Sequence, residues 1–137
     1  MFERKDIAKL KKDIVLDIEL FNSNLKLHTR WGTFSPRALD DGTKLLMKYF
    51  SADIDDVCLD LGCGYGPIGL ALAKHCTRGE VHMVDKDFVA VDLATYNAKL
   101  NNIVNAKAYL SDAFLQIPSD IKFNQIVSNI PAKVGRE

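Results

Sequence analysis

Asp56-Val57-Cys58-Leu59-Asp60-Leu61-Gly62-Cys63-Gly64-Tyr65-Gly66-Pro67-Ile68-Gly69-Leu70-Ala71-Leu72-Ala73-Lys74 is the stretch that decides the fold. Val57 to Leu61 is apolar except at Asp60 and stops at Gly62, the pattern of a strand buried in a parallel sheet. Gly62, Gly64 and Gly66 alternate, as a turn needs where φ is positive or a ligand comes too close for a Cβ. Pro67 stands where the first helical residue would, since its missing N–H and fixed φ cost little there. Ile68 to Ala73 then continue as an apolar helix. A helix start of this kind aims free N–H groups and a partial positive charge over the turn, which predicts a cradle for a small ligand.

Gly64-Tyr65-Gly66-Pro67-Ile68-Gly69 satisfies the G-x-G-x-x-G pattern, and Asp85 follows near the distance expected of a dinucleotide's ribose acid. Two residues argue against NAD. Pro67 removes an N–H from the helix start on which a pyrophosphate would rest. Asp60 puts a carboxylate at the strand tip, where it would repel a pyrophosphate and suit an ammonium group. A plain strand-to-helix link would need one glycine, not three at alternate positions.

Val57-Cys58-Leu59-Asp60-Leu61-Gly62-Cys63-Gly64-Tyr65-Gly66-Pro67-Ile68-Gly69 resembles motif I of the class I S-adenosylmethionine (SAM) dependent methyltransferases. Its Gly-Tyr-Gly-Pro-Ile-Gly form resembles the small-domain branch, which includes 16S ribosomal RNA guanine-N2 methyltransferases. The resemblance implies that Asp60, Gly62, Cys63, Gly64 and Gly66 hold the methionine part of the cofactor. It implies further that Asp85, followed by Lys86, binds the ribose hydroxyls, and that Asp112 with Ala113 meets the adenine.

On the amino-terminal side, Glu3 to Asp13 is a mixed-charge stretch read as a solvated face. Ile14, Leu16, Ile18 and Leu20 alternate with mostly polar neighbours, Asn22-Ser23-Asn24 supplies a turn, and Leu25, Leu27, Thr29 and Trp31 alternate on the return. That predicts a β-hairpin. Ser35 and Pro36 then suit the cap and first position of a helix over Arg37 to Phe50. The small-domain family has a similar Gly-x-Phe-Ser here, lining the cofactor pocket, so Phe34 and Ser35 are either pocket residues or only a helix start.

Beyond the glycine turn, Val81 to Asp85 reads as a second buried strand ending in its acid. Asp85 could cap the next helix, yet the end of a strand beside the turn is where a ribose would lie. His82 is expected to be packed rather than catalytic. Phe88 to Leu100 is a helix ended by Asn101-Asn102, and Ala106 to Leu110 a third strand. Asp112 then either contacts the adenine amino group or caps a helix. Phe123 to Asn129 is the fourth strand, with Asn129-Ile130-Pro131-Ala132 at its tip.

Enzymes that methylate exocyclic amines commonly carry Asn/Asp-Pro-Pro-aromatic at that tip. The Asn129 side-chain oxygen and the Ile130 carbonyl can each accept one N–H of a planar amine and so orient it. Asn129, Ile130 and Pro131 are therefore the candidate catalytic residues. Ile130 and Ala132 depart from the pattern; without the aromatic, a base stack worth roughly 1–3 kcal/mol must come from elsewhere. Lys133 and Arg136 offer two cations to phosphate or to solvent.

The 137 residues suffice for one domain with a real core, and 47% hydrophobic with 26% charged residues is ordinary soluble composition. Net charge is zero, so an RNA partner would need a local basic patch. No apolar run approaches membrane-spanning length. Cys58, Cys63 and Cys76 are odd in number and lack CxxC spacing, which fits free thiols in a reducing cytoplasm. No metal site is expected, and no spaced His/Asp set accompanies Cys63 to make it a nucleophile.

The expected fold is α/β: a Rossmann-like parallel sheet with flanking helices over residues 35–137, after an extension carrying the hairpin over 1–34. The family's last three strands are expected to be lacking, which would leave the Phe123–Ser128 strand as an open edge and the substrate pocket without walls. The expected function is SAM-dependent N-methylation, with guanine N2 of ribosomal RNA or the small ribosomal subunit as the target, in the cytoplasm. The alternatives are a non-catalytic SAM-binding module and an N-methyltransferase acting on a protein or small molecule. An NAD oxidoreductase ranks last.

Overall fold

Among the described residues, four short strands and two helices between them build a parallel sheet around the stretch quoted above. The computed structural model of the chain describes residues 14–20, 23–29 and 51–128. The stretch Glu3 to Asp13, the helix expected over Arg37 to Phe50, and Phe34, Ser35, Asn129, Ile130 and Pro131 lie outside the described residues. Elements run in the order β1 (Ile14–Leu20), β2 (Ser23–Thr29), β3 (Val57–Leu61), α1 (Pro67–His75), β4 (Glu80–Asp85), α2 (Phe88–Leu100), β5 (Ala106–Leu110) and β6 (Gln125–Ser128).

β1 and β2 form an antiparallel hairpin, and the remaining strands form a sheet ordered β5-β4-β3-β6 with every pair parallel. β3 is thus interior, β4 and β5 step away from it on one side, and β6 lies on the other. That reversal of direction beside β3 is where open α/β sheets bind ligands, outside the carboxyl ends of the strands. The Rossmann-like expectation holds among the described residues.

Register settles which side chains share a face. Asp60 lies beside Met83 and Val127, and Met83 beside Ala108. Side chains alternate along a strand, so Leu59 and His82 point to the opposite face. The Asp60–Met83 face is the one α1 covers: a Cβ built on Gly69 of α1 would lie 2.6 Å from Met83 Sδ and 3.0 Å from Asp60 Oδ2. Gly69 is glycine because helix and sheet approach too closely for alanine.

Pro67 to Ala73 are all buried, and Leu70, Leu72 and Met83 join Leu20, Leu25 and Leu27 of the hairpin in one core. The hairpin therefore packs as part of the domain. At the end of α1, Asn105 Nδ2 donates to the Ala73 and Cys76 carbonyls, at 3.0 and 2.9 Å, and satisfies part of the last turn.

Two details correct the sequence reading, and one settles an alternative it had left. β2 starts at Ser23, pairing with Leu20, where the turn assignment put Ser23 and Asn24 outside the strand. The cap of α2 is Asp87, whose Oδ1 accepts the Val89 N–H at 3.0 Å, so the lesser alternative for Asp85, capping that helix, falls away. β6 begins at Gln125 and not at Phe123, where Asn124 is spent on β3: its N–H donates to the Val57 carbonyl and its Oδ1 accepts the Val57 N–H, both at 2.7 Å. Among the described strands β6 pairs with β3 alone; its Val127 is buried while Ile126 is 54% exposed.

Candidate functional site

The glycine turn is held almost entirely through its own main chain. Gly62, Gly64 and Gly66 have φ of 76°, 58° and 103°, all in the left-handed region where a side chain is strained. The Gly62 and Cys63 N–H groups both donate to the Val84 carbonyl at 2.9 Å, and the Gly66 N–H to the Cys63 carbonyl at 3.1 Å. The Gly64 N–H donates to Asp85 Oδ2 at 3.0 Å. The Tyr65 carbonyl accepts the Asn97 side-chain amide at 2.8 Å.

Asp60 sits beneath this turn, 1% exposed. Its Oδ2 accepts the Gly69 N–H at 2.9 Å, and its Oδ1 is buried with no hydrogen-bond partner. Burial pushes its carboxyl up to about 7, against the Gly69 N–H, and the Asp85 charge adds to the rise. A buried carboxylate with one bare oxygen is costly unless a donor or cation reaches it. Its surroundings fit an ammonium group.

Asp85 closes β4 beside the turn. Besides the Gly64 N–H, it accepts the Asp87 N–H on Oδ1 at 2.9 Å. Each carboxylate oxygen keeps a lone pair for a hydroxyl donor. Lys86 next to it is exposed. Cys63 is buried in the turn, where burial and then the charges of Asp60 and Asp85 push its thiol well up. It stays protonated, as a small turn residue rather than a nucleophile.

After β5 the chain closes a tight loop. The Ser111 N–H donates to the Asp85 carbonyl at 2.9 Å, tying the loop to the end of β4. Ser111 Oγ donates to the Ala113 carbonyl at 2.5 Å and accepts the Gln116 N–H at 3.2 Å, while Gln116 Oε1 accepts the Asp112 N–H at 2.7 Å. Ala113 takes φ of 53°, unusual for a residue with a Cβ. Asp112 and Ala113 are exposed. No helix begins at Asp112 among the described residues, so the capping role considered for it falls away.

The structure thus brings Asp60, Gly62, Cys63, Gly64, Gly66 and Asp85 together at the carboxyl ends of β3 and β4. Asp112 and Ala113 follow the end of the adjacent β5. His82 is packed as expected: it is buried, bonded through Nδ1 to Tyr109 Oη at 2.8 Å, and edge-on to the Tyr109 and Phe123 rings. Burial lowers its imidazole below the ordinary range, more than nearby Glu80 raises it. Cys58 and Cys76 are free, buried thiols with sulfurs 4.0 Å apart, and burial pushes Cys58 up to about 12. Among the described residues no group of side chains could hold a metal ion.

Asn97 escaped the sequence reading. It is fully buried in α2 and its amide bonds both the glycine turn and the hairpin. The signal was there: Asn97 falls in phase with the buried Ala90, Leu93, Ala94 and Ala98, on the one face of α2 where an amide must find partners.

Known proteins resemble this chain in sequence and in fold. The uncharacterized protein YbxB of Bacillus subtilis (strain 168) is 38% identical over 119 residues, which are 86% of this chain and 59% of that protein. The ribosomal RNA small subunit methyltransferase C of Haemophilus influenzae (strain PittEE) is 34% identical over 134 residues, 98% of this chain and 38% of that protein. Among solved structures, the T. thermophilus 16S rRNA N2 methyltransferase RsmC, in complex with AdoMet and guanosine, superposes with a TM-score of 0.69 at 24% identity. That match covers 90% of this chain and 34% of the other. The chain therefore spans between about a third and three-fifths of the length of these relatives. Residues 24–137 match the family described as methyltransferase small domain, and the chain belongs to that family.

Proposed function

We propose that this chain carries the SAM site of an N-methyltransferase whose acceptor is a guanine N2 of ribosomal RNA, acting in the cytoplasm. The observation that carries the reading is Asp60, a buried carboxylate with a bare Oδ1 beneath a glycine turn. An α-ammonium would supply the missing donor and hold the carboxylate ionised. The glycine turn and the start of α1 would take the rest of the methionine part. Asp85, with Lys86 beside it, would take the ribose hydroxyls, and Asp112 and Ala113 the adenine edge. Phe34 and Ser35 would line the pocket.

Bound SAM supplies an electrophilic methyl group. The chain's part is to hold and orient: Asn129 Oδ1 and the Ile130 carbonyl would each accept one N–H of the acceptor amine, with Pro131 stiffening the strand tip. A base in structured RNA must be exposed or flipped to reach them. The relatives named for small-subunit ribosomal RNA support RNA as the substrate class.

Calorimetry on the chain tests the cofactor, with SAM and S-adenosylhomocysteine expected to bind in the micromolar range and NAD not at all. Heat with NAD and none with SAM overturns the assignment. For the acceptor, label from SAM is followed into undermodified ribosomal RNA and mapped to the atom. A mark on guanine N2 supports the proposal, and a mark on another atom refutes it.

A further inference from the structure

We propose that Asn97 is a positioning residue for the cofactor turn and that through it the hairpin becomes part of the cofactor site; this rests on the cofactor reading above. A turn with three left-handed glycines has little stiffness of its own, because glycine has the widest backbone freedom to lose. The bonds that hold it come mostly from the neighbouring β4, at the Val84 carbonyl and the Asp85 carboxylate, or from within the turn. The Asn97 side-chain amide donates to the Tyr65 carbonyl, midway between Gly64 and Gly66, and so reaches the turn from the helix side.

The same amide is anchored in β2. Its Oδ1 accepts the His28 N–H at 2.8 Å and its Nδ2 donates to the His28 carbonyl at 3.0 Å, besides reaching Tyr65. Both amide hydrogens and the amide oxygen are thus used, at a residue with no solvent exposure. A buried amide with fixed partners on two sides transmits position: the turn cannot shift from the hairpin without breaking a bond that water cannot replace. One helical turn on, Asn101 provides a control. Its Oδ1 accepts the Lys26 N–H at 3.0 Å and its Nδ2 donates to the Lys26 carbonyl at 2.9 Å, so it holds the hairpin but not the turn.

The experiment compares Asn97→Ala and Asn101→Ala in the full chain, with S-adenosylhomocysteine as the probe. Asn97→Ala should weaken binding by roughly tenfold, the scale of one buried hydrogen bond, while Asn101→Ala binds as the parent does. Equal losses in both variants, or unimpaired binding in Asn97→Ala, overturn the proposal.

Hydrogen exchange on the unaltered chain gives a second reading that survives if a variant does not fold. The probe should slow exchange of the His28 amide more than that of the Lys26 amide, since only the former is tied to the turn. Equal protection at both overturns the coupling. A parent chain that binds no S-adenosylhomocysteine overturns the cofactor reading itself, which is a different result.

Discussion

Replacing Asp60 with asparagine should abolish the pH dependence that this one residue imposes on folding. In the folded chain its carboxyl is pushed from an ordinary 3.8 to about 7, chiefly by burial. Between those two values the folded chain holds a proton that the unfolded chain has released. Stability is therefore highest below the lower value, falls as pH rises through the window, and levels off above about 7. Each pH unit within the window is worth about 1.4 kcal/mol, so Asp60 alone removes about 3 kcal/mol between about pH 5 and pH 8. Asparagine keeps the oxygen that accepts the Gly69 N–H but cannot ionise.

The assay is urea unfolding of both chains across that range. Subtracting one from the other cancels the remaining titrations. The variant should gain about 3 kcal/mol on the parent from the acid end to the alkaline end, and should lose SAM binding throughout. In the parent, SAM affinity should fall about tenfold per unit as pH drops below about 7, because the ammonium must displace a proton. A parent-minus-variant difference that stays constant with pH refutes the argument that burial and the bare Oδ1 set the charge of this residue.

Gly69→Ala places a methyl against the fully buried Met83 and against Asp60, and should cost about 2 kcal/mol in chemical unfolding, partly restored by shortening Met83. Asp85→Ala removes the acceptors of the Gly64 and Asp87 N–H groups together with those proposed for ribose. Calorimetry should show SAM affinity reduced by about 1.5–3 kcal/mol. Asn129→Ala should abolish methyl transfer to RNA while leaving SAM affinity nearly unchanged, and an unimpaired rate would remove the amine-orienting role.

The cradle was legible because its demands are local. Positive φ at alternate residues calls for glycine, a helix start accepts proline, and a buried parallel strand needs an apolar run, so residues 57 to 73 declared their structure outright. Asp60 and Asp85 were legible by position. What could not be read was how their oxygens are shared: that Asp60 keeps one bare, and that Asp85 already holds the turn. Such facts depend on atoms in other elements.

Asn97 is the clearest case, since it and His28 lie 69 residues apart in the chain. The capping of α2 by Asp87 turned on which of two acids takes the extended cap geometry, a distinction of two residues. Asn124 likewise read as strand, yet its amide is used sideways to hold Val57.

A two-stranded ribbon leaves each strand with one unpaired margin, and such a margin is an invitation to any passing strand. On β2 that margin is occupied at Lys26 and His28 by side-chain amides that copy the donor and acceptor of a peptide group. The fit is one of commensurate repeats: four residues of helix advance about 6 Å, and two residues of strand advance nearly the same. A helix can thus pose as a neighbouring strand for one turn before the two rhythms part. The hairpin is thereby closed to foreign strands along this stretch, and slipping it by one residue would set both amides against the wrong side of the ribbon.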